Sequence, residues 1–167
     1  MNHLAIINPE NVTEEEARVF GVREAARAIV SDDRGMVALL HSAKYDYYKL
    51  PGGGIEQDES PETALRRECL EEIGCSVEIT GEIGIIVEYR KRFTIRQTSY
   101  CFTAKVIGEK GEPHLMEDEI EEGFHTVWLP LDKALEKVRK SDRGVYEAQY
   151  MVARDAAFIE AAMLRVD

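Results

Sequence analysis

Cysteine, proline and tryptophan are scarce in this sequence, basic residues are too few to balance the acids, and no long apolar run occurs. Each shortage closes a class of protein. The three cysteines, Cys69, Cys75 and Cys101, are an odd and scattered set, which gives no disulfide framework and no Cys-x-x-Cys pair for zinc. They are expected to be reduced and to pack as small apolar groups. No apolar stretch approaches the length of a membrane span. The opening "MNHLAIINPENVTEEEA" lacks a basic start followed by an apolar core, so no signal peptide is expected and a cytoplasmic location is the default. Lysine and arginine number 21 against 32 aspartates and glutamates, a formal charge of −11, which argues against a binder of duplex nucleic acid. A small phosphorylated ligand stays compatible with that charge if divalent cations stand between the two. Walker loops, a Gly-x-Gly-x-x-Gly after a strand and His-Glu-x-x-His are all missing.

What is there suits a single domain over 167 residues, 44% of them hydrophobic, enough for a proper core. Residues 1–20 are expected to form a strand, a short helix or a loose arm. Residues 22–33 and 35–43 read as two strands joined by a turn at Asp32–Gly35. "YDYYKLPGGG" (45–54) runs into a Pro-Gly loop. Residues 76–90 and 95–108 read as a long antiparallel pair, and 124–130 as a further strand. Apolar spacing predicts helices over 131–140 and 146–164. The mixed order points to an α/β/α sandwich, a mixed β-sheet between helices.

The clearest helix spans Pro61 to Ile73, with Ser60 as N-cap, Pro61 at the first position and Gly74 just past the end. Leu65, Cys69 and Ile73 form its apolar stripe. Glu68 and Glu72 border that stripe, and Glu71 lies a little further round. Carboxylates crowded at a half-solvated border repel one another unless one is protonated or a hard cation joins them, and oxygen donors suit Mg²⁺ or Mn²⁺. Gly52-Gly53-Gly54 precede the helix, and their backbone can approach a ligand closely. Arg67, next to Glu68, can fix a carboxylate by a two-pronged contact.

The stretch "GGGIEQDESPETALRRECLEEIGC" resembles the Nudix box: Gly, five residues, Glu, seven residues, Arg-Glu, an apolar residue, any residue, Glu-Glu, any residue, Gly, apolar. The match, over residues 53–75, runs through Gly53, Glu59, Arg67, Glu68, Cys69, Glu71, Glu72, Gly74 and Cys75. The two aliphatic positions are cysteine here, a change that leaves the charged positions intact. The resemblance implies a hydrolase of diphosphate bonds that uses Mg²⁺ or Mn²⁺. By it, Glu68, Glu71, Glu72 and the Gly52 carbonyl would hold metal, with Glu71 a ligand or the base, and Glu59 and Arg67 would orient the glutamates. It also implies one further glutamate from "LMEDEIEEG" (115–123), for which Glu119 is the first choice and Glu122 the second, unless that run is only a solvated loop.

Substrate residues are less legible. Tyr48, with Tyr45 and Tyr47 beside it, could stack on a base, and Arg90 and Arg92, in a basic run with Lys91 and Arg96, could receive phosphates or be bland strand-edge charge. The resemblance implies a small nucleotide-like substrate, a nucleoside triphosphate or a nucleoside diphosphate derivative, and a possible homodimer. A proline some fifteen residues past the box, usual in ADP-ribose hydrolysing members, is missing, as is the added motif of coenzyme A hydrolysing ones. Two alternatives share the scaffold: a non-catalytic nucleotide-sensing module, and an enzyme like isopentenyl diphosphate isomerase.

Overall fold

Alternation along the central strand decides which helices cover which face. In β2 (Gly21–Ser31), Ala26, Ala28 and Val30 join one buried apolar cluster, while Ile29 joins another. Successive strand side chains point to opposite faces, so a strand apolar at both parities must be buried on both sides. The first cluster takes in Ala64, Leu65, Cys69 and Ile73 of α2 (Pro61–Ile73). The second takes in Ala134, Leu135 and Val138 of α4 (Leu131–Arg139), and Val152, Phe158 and Ile159 of α5 (Tyr146–Met163). This computed structural model describes residues 1–165, and the last two residues of the domain expected over 1–167 lie outside the described residues.

The layers are thus α2, a mixed sheet, and α4 with α5, which is the expected α/β/α arrangement. The strand order is β1 (His3–Ile7), β6 (Ser76–Arg90), β7 (Ile95–Ile107), β2, β3 (Val37–Ser42) and β4 (Tyr47–Lys49), with β5 (Gly52–Gly54) on β2 and β8 (Phe124–Leu129) on β3. The long β6–β7 pair is antiparallel, whereas β2 runs parallel to β7 and β1 parallel to β6. The first twenty residues are a strand plus the short helix α1 (Glu14–Ala17), capped by Thr13. Glu10 fastens this segment to the body: it accepts from the Tyr150 hydroxyl at 2.6 Å and from the Lys91 amide at 3.1 Å.

Strands β2 and β3 are joined by the expected turn, closed by the Asp32 amide donating to the Met36 carbonyl at 2.9 Å, but they meet at one register pair only, Ser31 with Val37, because β2 spends its length on β7 and β5. One expectation needs correcting. The glycine run is a strand, not a loop, since Ala25, Ala26 and Arg27 pair with Gly54, Gly53 and Gly52. Its glycines are demanded by neighbours. Gly52 has φ +131° and a Cβ there would stand 2.0 Å from the Ala26 carbonyl oxygen, so any side chain would force the two strands apart.

Candidate active site

The box helix sets its carboxylates at graded depths, in the order its periodicity predicts. Glu72 is 3% exposed, Glu68 14% and Glu71 42%. Local signals fix the helix: the Ser60 hydroxyl accepts from the Thr63 amide at 3.1 Å, and Gly74 ends it in the left-handed region at φ +65°. The C-terminal half of the helix and the β5 strand border one cleft of about 330 Å³, which Glu56, Glu68, Glu71, Glu72 and Glu119 line together with Arg23, Arg27, Lys49 and Arg67.

Arg67 organises this cleft. Its Nε and Nη2 hold the two oxygens of Glu59 at 2.8 and 2.9 Å, its Nη1 donates to Glu68 at 2.9 Å and to Glu71 at 3.4 Å, and Nη2 also donates to the Gly54 carbonyl at 3.0 Å. The two-pronged contact, with a hydrogen bond from the Glu56 amide, lowers Glu59 to about 2, so it is ionised throughout the ordinary pH range. Glu72 accepts from the Gly52 amide at 2.7 Å and from Lys49 Nζ at 3.1 Å. Burial, then the charge of Glu72, pushes Glu68 above the usual carboxylate range. Gly53 leaves room for that carboxylate, for a Cβ would meet Glu68 Oε1 at 2.3 Å.

The donor set of this cleft is all oxygen: carboxylates and the backbone carbonyls of the glycine strand. That chemistry fits a hard divalent cation and offers no thiolate or imidazole to a softer one. Among the described residues no three acidic, histidine or cysteine side chains already stand together closely enough to hold an ion; arginine, lysine and backbone amides satisfy them instead. The Gly52 carbonyl accepts from Arg27 Nη1.

The structure therefore brings together Gly52, Glu59, Arg67, Glu68, Glu71, Glu72 and Glu119. Glu119 comes from α3 (Glu117–Glu121), where the acidic run is helical rather than a loop, and it accepts from the Met116 amide at 2.8 Å. Burial raises the Glu119 carboxyl. Glu122, the second choice, accepts from the Tyr47 hydroxyl at 3.1 Å and lines an adjoining pocket. Tyr48 is not brought to the cleft. Its ring stacks on His41 with centroids 4.2 Å apart and packs on the α4–α5 side of the sheet, because it alternates with Tyr47. Arg92 lies over the Tyr146 ring at 4.3 Å and lines neither cavity. Arg90 is not edge charge: it is buried and paired with Glu88 at 3.0 Å. Sequence reasoning missed Arg23, Arg27 and Lys49. A usable signal was two arginines four apart, on one face of a strand otherwise mostly of alanine, valine and isoleucine.

The cysteines are free and buried, and burial holds the Cys69 and Cys101 thiols far above their ordinary range. Neither is a thiolate nucleophile. Among the described residues no helix is long and apolar enough to cross a membrane.

Comparison with known proteins agrees with this geometry. The family model of the NUDIX domain matches residues 21–149. The chain is 36% identical over 107 residues to the RNA pyrophosphohydrolase of Sulfurovum sp. (strain NBC37-1), a match covering 59% of this chain and 68% of that protein. It is 29% identical over 133 residues to diphosphoinositol polyphosphate phosphohydrolase 2 of Rattus norvegicus, covering 79% of this chain and 69% of that one. Among solved structures, a NUDIX hydrolase from Nitrosomonas europaea superposes with a TM-score of 0.64 at 19% identity, over 87% of this chain and 90% of that chain.

Proposed function

The chain belongs to the NUDIX family of hydrolases acting on phosphoric anhydrides, and from that premise we propose that its substrate is nucleotide-like, a nucleoside triphosphate or a nucleoside diphosphate derivative. The observation that carries the reading is the fan of hydrogen bonds from Arg67, which ties Glu59, Glu68 and Glu71 to the glycine strand. A merely solvated acidic face would have no reason to be organised in this way.

Members of the family generally use divalent cations, and Mg²⁺ or Mn²⁺ is the cation proposed here. Glu68, Glu71, Glu72, Glu119 and the Gly52 carbonyl would hold it. When bound, it supplies charge to offset the phosphate oxygens and acidity to a water molecule. The chain's own residues do the rest. Arg67 keeps Glu59 ionised and holds Glu68 and Glu71 in register, as residues behind metal ligands commonly do. Glu71, more exposed than Glu68 and Glu72, is the one best placed to take a proton from water. Arg23, Arg27 and Lys49 line the same cleft and can meet phosphate oxygens by charge-assisted bonds. A loose diphosphate transition state needs little beyond such positioning and charge.

The full set of box glutamates favours catalysis over a nucleotide-sensing module, and the buried thiols speak against isomerase-like proton transfer. The deciding experiment is a panel of nucleoside triphosphates and nucleoside diphosphate derivatives, scored by released phosphate or pyrophosphate with Mg²⁺, Mn²⁺ or a chelator. Turnover that requires a cation is expected. No turnover on any compound, or turnover that a chelator leaves untouched, overturns the proposal.

A further inference from the structure

A second cavity, of about 480 Å³, opens beside the glutamate cleft and shares Arg23, Arg27, Lys49 and Glu119 with it. Its inner wall adds Arg90. Behind that wall lies a buried row of polar groups on β2, β7, β6 and α5. Arg23 Nη1 donates to Gln97 at 2.7 Å, Gln97 to Glu88 at 2.8 Å, and Arg90 to the other Glu88 oxygen at 3.0 Å. Arg154, fully buried, donates to Asp155 at 2.7 Å and stands 3.5 Å from Glu88.

The row does not balance. Within the row, four guanidinium groups, of Arg23, Arg27, Arg90 and Arg154, stand with two carboxylates, Glu88 and Asp155, and the further negative charge acting on Arg23 and Arg27 comes from Glu68 and Glu72, the groups that a cation would claim. Nor are the donors used up: among the described residues Arg27 Nε and Arg90 Nε have no hydrogen-bond partner, although the two residues are only 5% and 8% exposed. Burial and the charge of Arg154 depress Arg27 to about 10. Leaving buried positive charge uncompensated is costly, and an anion at the cavity wall these arginines line offsets that cost through its charge. The outer wall is acidic, with Asp118, Glu122 and Glu147, so an anion is confined to the inner wall.

We propose that Arg23, Arg27 and Arg90 form the seat of a second phosphate of the substrate, one outside the anhydride bond that is cleaved. This rests on the hydrolase reading above and narrows its substrate class. A compound with three or more phosphates fills both cavities, whereas a diphosphate joining two uncharged groups leaves the arginines unmatched. Because Arg23 and Arg27 line both cavities, one continuous phosphate chain reaches from the glutamates to Arg90.

The test has two arms. In the first, inorganic phosphate is titrated into the protein in excess chelator and followed by calorimetry. Saturable binding is expected, weakened roughly ten- to a hundredfold in Arg90→Met and retained in Glu68→Gln. Arg90 is buried, so Arg23→Met, at an exposed position, is run beside it with the same expected loss, and circular dichroism checks that its fold is retained. In the second arm, KM for a nucleoside triphosphate is compared with KM for a nucleoside diphosphate derivative whose second group is uncharged. Arg23→Met should raise the first relative to the second by roughly tenfold. Absent phosphate binding in the wild type, or binding and KM ratio both unchanged in Arg23→Met, overturns the assignment even if the enzyme turns over. Normal phosphate binding with no turnover on any compound would leave this seat standing and remove the hydrolase reading instead.

Discussion

Two ion clusters of opposite excess lie side by side at one end of the sheet. Around Arg67 the carboxylates outnumber the cations, the group is partly open to water, and Arg67 spends its Nε, Nη1 and Nη2 on named acceptors. Around Glu88 the arginines outnumber the carboxylates, Arg154 is buried in α5 while Arg23, Arg27 and Arg90 border the second cavity, and among the described residues guanidinium nitrogens of Arg27, Arg90 and Arg154 go unpartnered. The first cluster is arranged to take positive charge, the second negative. The ligand proposed above, a polyphosphate with its cation, would supply both.

Substitutions can break this contrast from either side. The largest effect is expected at the deepest glutamate. Glu72→Gln keeps an acceptor for the Gly52 amide but removes the charge, so kcat should fall by roughly a thousandfold, about 4 kcal/mol in the barrier, with the thermal midpoint nearly unchanged. A variant as active as the wild type in steady-state assays would contradict the role of this cleft.

On the sealed side the loss should be in stability. Arg154→Met strips Glu88 and Asp155 of a shared partner at full burial, which costs about 3–5 kcal/mol and lowers the melting temperature on the order of 10 °C. Calorimetry that finds the two proteins equally stable would mean the row is not held by charge. Next comes Arg67→Lys, which keeps the charge and loses the fork. Glu59 and Glu68 can then no longer be held together, and kcat should drop roughly ten- to a hundredfold while the melting temperature changes little.

The smallest effect is expected at the N-terminal segment, away from both clusters. Hydrogen bonds from Tyr146 and Tyr150 hold Glu10 below its ordinary range. A carboxyl lowered on folding contributes stability in full above its unfolded pKa, about 4.3, and loses it as pH falls through the folded value. Acid unfolding followed by circular dichroism should therefore show a slightly shallower loss below about pH 4 in Glu10→Gln than in the wild type; identical curves would assign Glu10 no such part.

Much of the fold was legible because its signals are local. Ser60, Pro61 and Gly74 delimit α2 at the residues observed, and β6 begins and ends where its β-rich run does. The candidate site was half legible. The box residues sit on one helix and the strand before it, so spacing alone brings them together. For Arg90 the sequence left phosphate contact and strand-edge charge both open, because nothing nearby in sequence announces Glu88 as a buried partner in the middle of a sheet. Tyr48 was misjudged because a three-residue strand sends adjacent tyrosines to opposite faces, and only the pairing with β3 says which face is which. The glycines were expected to serve a ligand, yet the closest demand on Gly52 comes from the Ala26 carbonyl across the strand pair.

By itself the sequence determined that Glu68 and Glu72 lie deeper than Glu71, since that follows from helical periodicity within the thirteen residues of α2. Only the tertiary structure decided which cations face those carboxylates and where positive charge is left over. That choice depends on the parallel register of β2 with β7, which sets Arg23 beside Gln97, and on α5 closing over the row with Arg154. Contacts between residues so far apart along the chain are fixed by how strands pair and layers stack, and no local pattern encodes them.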